Sequence, residues 1–367
     1  MKFISTKDNL LYAIQTVQKA VSPKSLLPIL SGILFKAYDN TLIVRATDLE
    51  LGIECFLPVK VIETGEIVLP SKYIIDIIRR LPDTVIEFES NDYLNSITIK
   101  YKNSQANIHG FAADEFPMLP PLNDGFTFLI STSIFKKMLR QTIFATGTDE
   151  NRPVFTGIHF QILEQEFKMV ATDTHRLAMI TEHLPLIKQE LPGIIVPGKT
   201  LSELLKILNS TQDEEIKITV TENQIFFLLN EINIISRLIK GQYPNYHHVI
   251  PKDIIAKIKI KLSDFIQSVE RASLLSSSIS QHIRIDCENS DFIVISSNNE
   301  AGHIYEEIPV FFEGEALQIY FNSKYLMDAL KAVDSEEIYL ELSGPINPCL
   351  LRTEDRNYLS ILLPVRP

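Results

Sequence analysis

Residues 171–178, Ala-Thr-Asp-Thr-His-Arg-Leu-Ala, bring together side-chain types that carry out chemistry in many active sites. Within five positions, Thr172 to Arg176, the segment offers a hydroxyl, a carboxylate, an imidazole and a guanidinium group. One interpretation is a hydrolase in which His175 acts as a general base and Asp173 orients it. However, no nucleophile elbow, metal-ligand spacing or glycine-rich phosphate loop accompanies the segment. We therefore predict a protein without a catalytic residue, metal ion or cofactor.

A structural interpretation of the same segment competes with the catalytic one. Thr172 and Asp173 directly follow a strand-like run, Phe167 to Val170. Threonine and aspartate side chains at such positions bond to nearby backbone groups and thereby form turns. We predict this role for Asp173, so that the following residues, His175-Arg176-Leu177, need a separate explanation.

The segment belongs to a pattern that occurs three times along the chain. Thr172-Asp173 has counterparts 125 residues earlier and 125 residues later, Thr47-Asp48 and Ser297-Asn298. Helical and strand-like runs recur around each copy in the same order, and such self-similarity at a fixed period identifies a repeat protein. The two counterparts lack the histidine and arginine that follow Asp173, which argues further against catalysis. We therefore expect three related units with an equivalent turn in each.

Each unit combines amphipathic helices with alternating strands. Leu10, Ile14 and Val17 illustrate the helical spacing, with Thr6 as a predicted N-cap. One apolar stripe per helix and one-sided alternation in the strands are typical of helices packed on one face of antiparallel sheets. The fold class is therefore predicted as α+β, with three repeated domains at residues 1–125, 126–253 and 254–367. The predicted helices span residues 7–21, 73–81, 133–145, 200–208, 263–275 and 325–333.

Composition limits the class of protein further. Apolar residues make up 45% and charged residues 22% of the 367 residues, which excludes a largely disordered chain. Residues 1–8 lack the apolar core of a signal peptide, and no apolar run reaches the roughly 18 residues of a spanning helix. We therefore expect no membrane partner. Three scattered cysteines without a CxxC pair indicate reduced thiols in a cytoplasm.

The distribution of charge matters more than its total. Counted with their flanking residues, over 7–24, 71–81, 133–145, 199–208, 263–274 and 323–332, the six predicted helical regions sum to +8 in a chain whose net charge is −11, so the remaining residues carry −19. If the helices lie on one side of the sheets, one face is basic and suited to the phosphate backbone of a nucleic acid. No helix carries the cluster of arginine, asparagine and glutamine residues that reads base edges, so the alternative of a sequence-specific DNA-binding protein is not supported.

Six motifs, taken in order, resemble one protein family over the full length of the chain. They are Met1-Lys2-Phe3, Leu27-Pro28-Ile29-Leu30, residues 171–178, Gly241-Gln242-Tyr243-Pro244-Asn245-Tyr246, Phe321-Asn322-Ser323-Lys324-Tyr325 and Leu362-Leu363-Pro364-Val365-Arg366. The family is the bacterial DNA polymerase III beta subunit, the sliding clamp. The resemblance implies a homodimer that closes head-to-tail into a ring, with helices around the hole and sheets outside. Such a ring is a DNA replication processivity factor that encircles duplex DNA, slides along it without sequence preference and tethers the polymerase.

The resemblance also implies which residues contact DNA and which close the ring. By position, the residues expected to contact DNA are Lys24, Tyr73, Asp149, Arg152, Pro153 and Val154. At the interface between two chains, Ala106 and Ile108 of one copy are expected to contact Leu274 and Leu275 of the other.

The resemblance gives the unexplained His175-Arg176-Leu177 a function. It implies a cleft between the second and third units that binds short linear motifs, with aliphatic walls and a polar edge. The implied partners are the DNA polymerase III alpha subunit, the clamp-loader delta subunit, other DNA polymerases and repair proteins. The expected cleft residues are Thr172, His175, Arg176, Leu177, Pro244, Val249, Asn322, Tyr325, Leu363, Pro364, Val365 and Arg366.

Overall fold

A computed structural model describes residues 1–22, 26–276, 282–288 and 291–366 of the chain. By the contacts between its Cα atoms, the chain divides into two compact units. The first unit combines Met1–Thr132 with Glu203–Leu238, and the second combines Ser133–Ser202 with Ile239–Pro367. Mixed helices and antiparallel strands confirm the predicted α+β class.

The elements follow one another in three similar series. The first series contains β1 (Lys2–Thr6), α1 (Lys7–Val17), β2 (Gly32–Tyr38), β3 (Thr41–Thr47), β4 (Leu51–Pro58), β5 (Lys60–Glu63), β6 (Gly65–Pro70), α2 (Ser71–Arg80), β7 (Val85–Asn91), β8 (Ser96–Tyr101) and β9 (Ser104–His109). The second contains β10 (Phe126–Ser131), α3 (Thr132–Thr142), β11 (Gly157–Leu163), β12 (Glu166–Thr172), β13 (Arg176–His183), β14 (Leu191–Pro197), α4 (Gly198–Leu208), β15 (Glu215–Val220), β16 (Gln224–Leu228) and β17 (Ile232–Arg237). The third contains β18 (Ala256–Lys261), α5 (Leu262–Leu274), β19 (His282–Cys287), β20 (Phe292–Asn299), β21 (Gly302–Pro309), β22 (Phe311–Gly314), β23 (Leu317–Asn322), α6 (Ser323–Ala332), β24 (Glu337–Leu342), β25 (Cys349–Arg352) and β26 (Tyr358–Leu362).

The first unit holds two sheets, in the strand orders β5-β1-β7-β8-β9 and β10-β15-β16-β17-β4-β3-β2-β6. Helix α1 packs against β3, β4 and α2. Its buried apolar residues are Leu10, Ala13, Ile14 and Val17, which confirms the apolar stripe read from the sequence. Burying a leucine or isoleucine side chain contributes about 2 kcal/mol, so the stripe fixes the helix against the sheet. Thr6 is at the predicted N-cap position but makes no side-chain capping bond.

The second unit also holds two sheets, in the orders β14-β11-β12-β13-β26-β25-β24-β18-β22 and β21-β20-β19-β23. Helix α5 packs against α6 and against the strands β18 to β21, with Phe265, Val269 and Ala272 buried. No helix in the described part of the chain is long and apolar enough to cross a membrane.

Sheet pairing explains why the structure divides into two compact units although the sequence contains three repeats. Strand β17 pairs with β4, with Ile232 opposite Cys55, and so extends the first unit's sheet with strands from the middle of the chain. Strand β13 likewise pairs with β26, with Arg176 opposite Leu362. A strand edge with unpaired N–H and C=O groups favours such continuation. The boundaries between repeats in the sequence therefore do not coincide with boundaries between sheets.

Candidate partner-binding cleft

Asp173 lies in the turn that joins the paired strands β12 and β13. The hydroxyl of Thr172 donates to the carbonyl oxygen of Arg176 over 2.7 Å and accepts from the N–H of Thr174 over 3.1 Å. Asp173 Oδ1 accepts from the backbone N–H groups of His175 and Arg176 at 2.9 and 3.0 Å. These bonds satisfy backbone groups that a tight turn leaves unpaired. The predicted turn-forming role of Asp173 is confirmed.

The first repeat contains the same turn between β3 and β4. Thr47 donates to the carbonyl oxygen of Leu51 over 3.0 Å, and Asp48 Oδ1 accepts from the N–H groups of Glu50 and Leu51 at 3.1 and 2.7 Å. The third residue of the turn has a positive φ in both copies, +77° at Leu49 and +78° at Thr174. A threonine followed by an aspartate therefore specifies the same turn conformation in both repeats.

For the third repeat, the prediction of an equivalent turn is wrong. Ser297 and Asn298 lie inside β20, where they pair with Ile304 and His303 of β21. Their backbone groups already bond within the ladder, so no side chain is needed to satisfy them. The hydroxyl of Ser297 donates instead to the carbonyl oxygen of Ala272 in α5, over 2.6 Å.

Arg176 connects the turn to helix α6. Its side chain is only 8% exposed, yet its charge is compensated, because Nε bonds to Asp173 Oδ2 at 3.0 Å and Nη1 bonds to Asp328 Oδ2 at 2.7 Å. The guanidinium carbon also lies 4.4 Å from the ring centre of Tyr325 and 5.4 Å from that of Phe144. A buried cation is tolerated only with such partners. Arg176 is therefore a fixed part of the wall formed by this turn.

An apolar cavity of about 220 Å³ opens beside the turn, and we call it the cleft. Its exposed lining is mostly apolar, and a buried cluster that includes Val170, Leu177 and Ile361 forms its floor. Seven predicted residues line it: Thr172, His175, Arg176, Leu177, Pro244, Val249 and Leu363. Five further residues were missed: Phe155, Thr174, Asn245, Tyr246 and Ile361.

Sequence signals existed for four of the missed residues. Asn245 and Tyr246 end the motif that begins at Gly241, and Thr174 lies inside the turn. Ile361 is two positions before Leu363, and residues two apart share a face of a strand. Phe155 had no signal, because it stands outside every recognised motif.

The remaining five predicted residues do not line the cleft. Asn322 caps helix α6, where Oδ1 accepts from the N–H groups of Lys324 and Tyr325 at 3.0 and 3.1 Å. Tyr325 supports the wall from behind, through Arg176 and through a ring contact with His175 at 6.2 Å. The other three, Pro364, Val365 and Arg366, belong to the tail that follows β26.

Two backbone bonds hold the tail in place. The N–H of Leu363 donates to the carbonyl oxygen of His175 over 3.1 Å, and the N–H of Val365 donates to that of Tyr320 over 2.9 Å. Leu363 thereby faces the cleft, whereas Arg366 lines a separate cavity on the sheet that contains β23.

The geometry gives the hydrolase interpretation no support. Both carboxylate oxygens of Asp173 are already engaged: Oδ1 accepts from two backbone N–H groups of the turn, and Oδ2 accepts from Arg176 Nε. The N–H that Asp173 accepts from His175 belongs to the backbone and not to the imidazole. Across the described residues, no group of three histidine, cysteine, aspartate or glutamate side chains could hold a metal ion.

The residues expected to contact DNA differ in their surroundings. Lys24 lies outside the described residues. Tyr73 on α2 is 58% exposed. Asp149 accepts from Arg152 Nε at 2.9 Å, and this bond lowers the pKa of the carboxyl group. The two charges therefore largely offset each other. Pro153 and Val154 follow in a short 3-10 turn.

The expected dimer-contact residues lie on an edge strand and at the end of a helix. Ala106 and Ile108 are on β9, the outermost strand of the five-stranded sheet. Ile108 is already buried within its own unit at 6% exposure, so its side chain has little area left to bury. Leu274 ends α5 and is 75% exposed, and Leu275 follows it.

The first repeat has a smaller counterpart of the cleft, with a volume of about 100 Å³. The N–H of Arg237 donates to the carbonyl oxygen of Glu50, as that of Leu363 does to His175. Here, however, the two side chains form an ion pair at 3.3 Å across the rim. Leu119 packs onto Gly52 so closely that a Cβ there would lie 2.5 Å from Leu119 Cδ2. The counterpart is therefore both smaller and more polar.

A fixed apolar cleft with a few polar groups at its edge is typical of a binding site. Residues 1–120, 129–245 and 247–366 match, in order, the N-terminal, central and C-terminal domains of the DNA polymerase III beta subunit. The beta sliding clamps of Bacillus subtilis and Staphylococcus epidermidis are each 36% identical, and the matches cover 100% of this chain and 100% and 99% of those proteins. The crystal structure of the Bacillus subtilis DNA polymerase sliding clamp superposes with a TM-score of 0.95 at 35% identity, covering 100% of this chain and 99% of that one. The chain belongs to the DNA polymerase III beta subunit family, the sliding clamps.

Proposed function

We propose that two copies of this chain close into a ring that encircles duplex DNA, slides along it and tethers DNA polymerase III during replication. The observation that carries the proposal is the match of all three family domains, in order, over residues 1–366. The protein is a processivity factor, an accessory subunit of the polymerase without a catalytic site of its own. Its hold on DNA is topological, so individual contacts with DNA can be weak.

The charge on the helices supports weak, sequence-independent contact with DNA. Exposed basic side chains on the helices include Lys72, Arg79 and Arg80 on α2 and Arg140 on α3. Some of this charge is offset, since Arg79 and Arg80 both lie near Asp76. Contacts with phosphate of this kind fall steeply in strength with salt and carry no sequence information. We propose that Lys24, Tyr73, Asp149, Arg152, Pro153 and Val154 add to them.

The cleft is the proposed docking site for short linear motifs of partners. These partners are the DNA polymerase III alpha subunit, the clamp-loader delta subunit, other DNA polymerases and repair proteins. A cavity of about 220 Å³ accommodates a few apolar anchor side chains. Such a contact corresponds to affinities of about micromolar, roughly −8 kcal/mol. Binding of that strength allows partners to exchange on the ring.

Two strand edges support the head-to-tail dimer. Strand β9 ends one sheet and β21 ends another, so each presents unpaired N–H and C=O groups within the described chain. In the proposed interface, β9 with Ala106 and Ile108 of one chain meets β21 and the Leu274-Leu275 corner of the other. Repetition of this unlike contact closes a ring when the rotation between chains allows it.

The proposed domain limits remain 1–125, 126–253 and 254–367. The three matched ranges, 1–120, 129–245 and 247–366, support them, because each proposed boundary lies within about ten residues of a gap between matches.

A cytoplasmic location is also proposed. All three cysteines are free and buried, and burial raises the thiol pKa of Cys55 and Cys287 to about 12.

Retention on DNA of different topology tests the function. Purified protein is loaded by its clamp loader onto a nicked circular plasmid and separated from free protein by gel filtration. We expect the protein to stay with the circle and to be lost once a restriction enzyme linearises it, because a ring slides off free ends. Equal retention on both forms would contradict the proposal and favour a site-specific DNA-binding protein.

A further inference from the structure

A larger cavity, of about 710 Å³, lies on the four-stranded sheet of the second unit. Tyr320 of β23, Arg284 of β19, Ser296 of β20 and Tyr305 of β21 are consecutive cross-strand partners. Because directly opposed residues in a sheet share one face, this row forms a continuous floor. Arg366 of the tail also lines the cavity.

The cavity is basic within an acidic chain. Arg284, Arg366, His282 and His303 line it, and no carboxylate is among the described lining residues. The neighbouring acidic side chains already have partners. Asp286 accepts from Arg284 Nε at 2.8 Å and from Gln318, whereas Glu307 accepts from the hydroxyl of Tyr305 at 2.9 Å.

Arg284 keeps donors available for a ligand. Its side chain is 41% exposed, and its bond to Asp286 uses Nε. Within the described part of the chain, its two terminal nitrogens make no hydrogen bond. A guanidinium held by Nε in this way presents a fixed pair of N–H donors, which suits a carboxylate.

The tail connects this cavity to the cleft. Leu363 lines the cleft, Val365 is bonded to Tyr320, and Arg366 lines the basic cavity. Three residues of extended chain span about 10 Å. A peptide anchored in the cleft therefore reaches the basic cavity with the next three to five residues.

We propose that the basic cavity binds acidic side chains that flank the apolar anchor of a partner's linear motif. The proposal rests on the proposed function of the cleft and adds the chemistry of the flanking residues. The acidic flank supplies charge-assisted hydrogen bonds to Arg284 and Arg366, while the apolar anchor supplies most of the affinity.

Three fluorescein-labelled peptides with a common Leu-Leu-Phe anchor test the proposal by fluorescence anisotropy. In the first peptide, Glu-Glu-Glu lies on the N-terminal side of the anchor, and in the second it lies on the C-terminal side, in each case separated from the anchor by a four-residue Gly-Ser spacer. The third peptide carries Gln-Gln-Gln in place of the glutamates. We expect one glutamate peptide to bind at least fivefold more tightly than the glutamine peptide at low salt. Because screening weakens exposed ion pairs, the advantage should disappear in 0.5 M salt, at a Debye length of about 4 Å.

Variants of the protein locate the effect. Arg284→Gln should remove the advantage of the glutamate peptide without changing the affinity for the glutamine peptide, and Arg284→Lys should restore part of it. Lys257→Ala removes an exposed positive charge from β18, outside both cavities, and should change neither affinity.

Each contrary result has its own meaning. Equal binding of the glutamate and glutamine peptides overturns the acidic-flank proposal and leaves the cleft intact. Failure of all three peptides to bind at millimolar concentration overturns the cleft and, with it, this proposal. If Arg284→Gln instead shortens retention on circular DNA and leaves peptide binding unchanged, the cavity contacts DNA and the proposal is wrong.

Discussion

Asp48 and Asp173 occupy the same position of the same turn, and Asp173 also binds the arginine three residues later, Arg176. Both carboxylates accept two backbone N–H groups. Asp173 additionally holds Arg176, whose side chain forms part of the cleft wall. The turn is therefore common to two repeats. The arginine that follows it and lines the cleft, Arg176, belongs to the second repeat, because the first repeat has Leu51 at that position.

The pair Asp48→Ala and Asp173→Ala separates these two roles. Each variant loses backbone bonds to a charged acceptor, so each should reduce the free energy of unfolding by about 1.5–3 kcal/mol in urea titrations. Asp173→Ala should also weaken peptide binding at least tenfold, because Arg176 is freed from one of its two carboxylates. Asp48→Ala should bind peptide normally. Equal affinity losses in both variants would show that Arg176 does not depend on Asp173.

Single residues were predictable from the sequence where a local rule decided them. The turn bonds of Asp173 need only the neighbouring backbone, so turn chemistry identified them. The capping bond of Asn322 and the missing turn at Ser297 were not identified, because each depends on how far a strand or helix extends. Phe155 enters the cleft through tertiary packing, which no local pattern records.

At the scale of elements, the tail after β26 depends on two backbone bonds and on Leu363 in the cleft. Deleting residues 363–367 removes these contacts and leaves β26 paired with β13 and β25. We expect the deletion to abolish peptide binding while the protein remains a dimer, since neither β9 nor β21 is altered. Anisotropy and light scattering measure the two properties. Peptide affinity that survives the deletion would contradict the assignment of the cleft.

The side chain of His159, on strand β11, contacts the segment that contains the cleft residues Pro244 and Tyr246. Its ring stacks on that of Tyr243 at 4.9 Å, and burial lowers the pKa of the imidazole below its ordinary 6.5. The unfolded chain therefore binds a proton at a pH where the folded chain does not. The resulting contribution to stability is fully present above pH 6.5 and decreases as the pH falls toward the lowered value.

Replacing His159 by phenylalanine tests this dependence. His159→Phe retains the stacking on Tyr243 and removes the titrating group. Urea titrations between pH 5 and 8 should show a smaller loss of stability on acidification than in the original protein. His183→Phe, at an exposed position at the end of β13, is the matched control for a His-to-Phe replacement. An identical pH profile in His159→Phe and the original protein would refute the prediction.

The positions of the helices were predicted well from the sequence, but the pairing between strands was not. Apolar spacing located all six helices to within a few residues, because one buried face imposes the period. Helix α1 ends at Val17 and continues as a 3-10 turn, Gln18–Ala20, although the apolar pattern runs on to Val21. The pairing of β17 with β4 joins residues nearly 180 positions apart in sequence, and no local pattern encodes it.

At the scale of the whole molecule, the proposed ring closure and the proposed partner binding use different residues. Leu274→Asp places a charge at the exposed end of α5, where the proposed dimer contact would bury it without a partner. We expect a monomer of 41.7 kDa by light scattering instead of a dimer of twice that mass. The stability and peptide affinity of each chain should be unchanged, and retention on circular DNA should be lost. A dimer of normal affinity would rule out this position for the interface.

The strand pairing behind the cleft also orders the steps of folding. The turn at Asp173 closes a local hairpin, and such hairpins form within about 10 μs. The cleft floor needs β13 beside β26, where the hydroxyl of Ser360 donates to the carbonyl oxygen of Leu177 across 183 positions. Contacts so distant in sequence form late, because the loop between them must close first. A partly folded molecule that has the turn but not the pairing of β13 with β26 therefore lacks the floor of the proposed binding site.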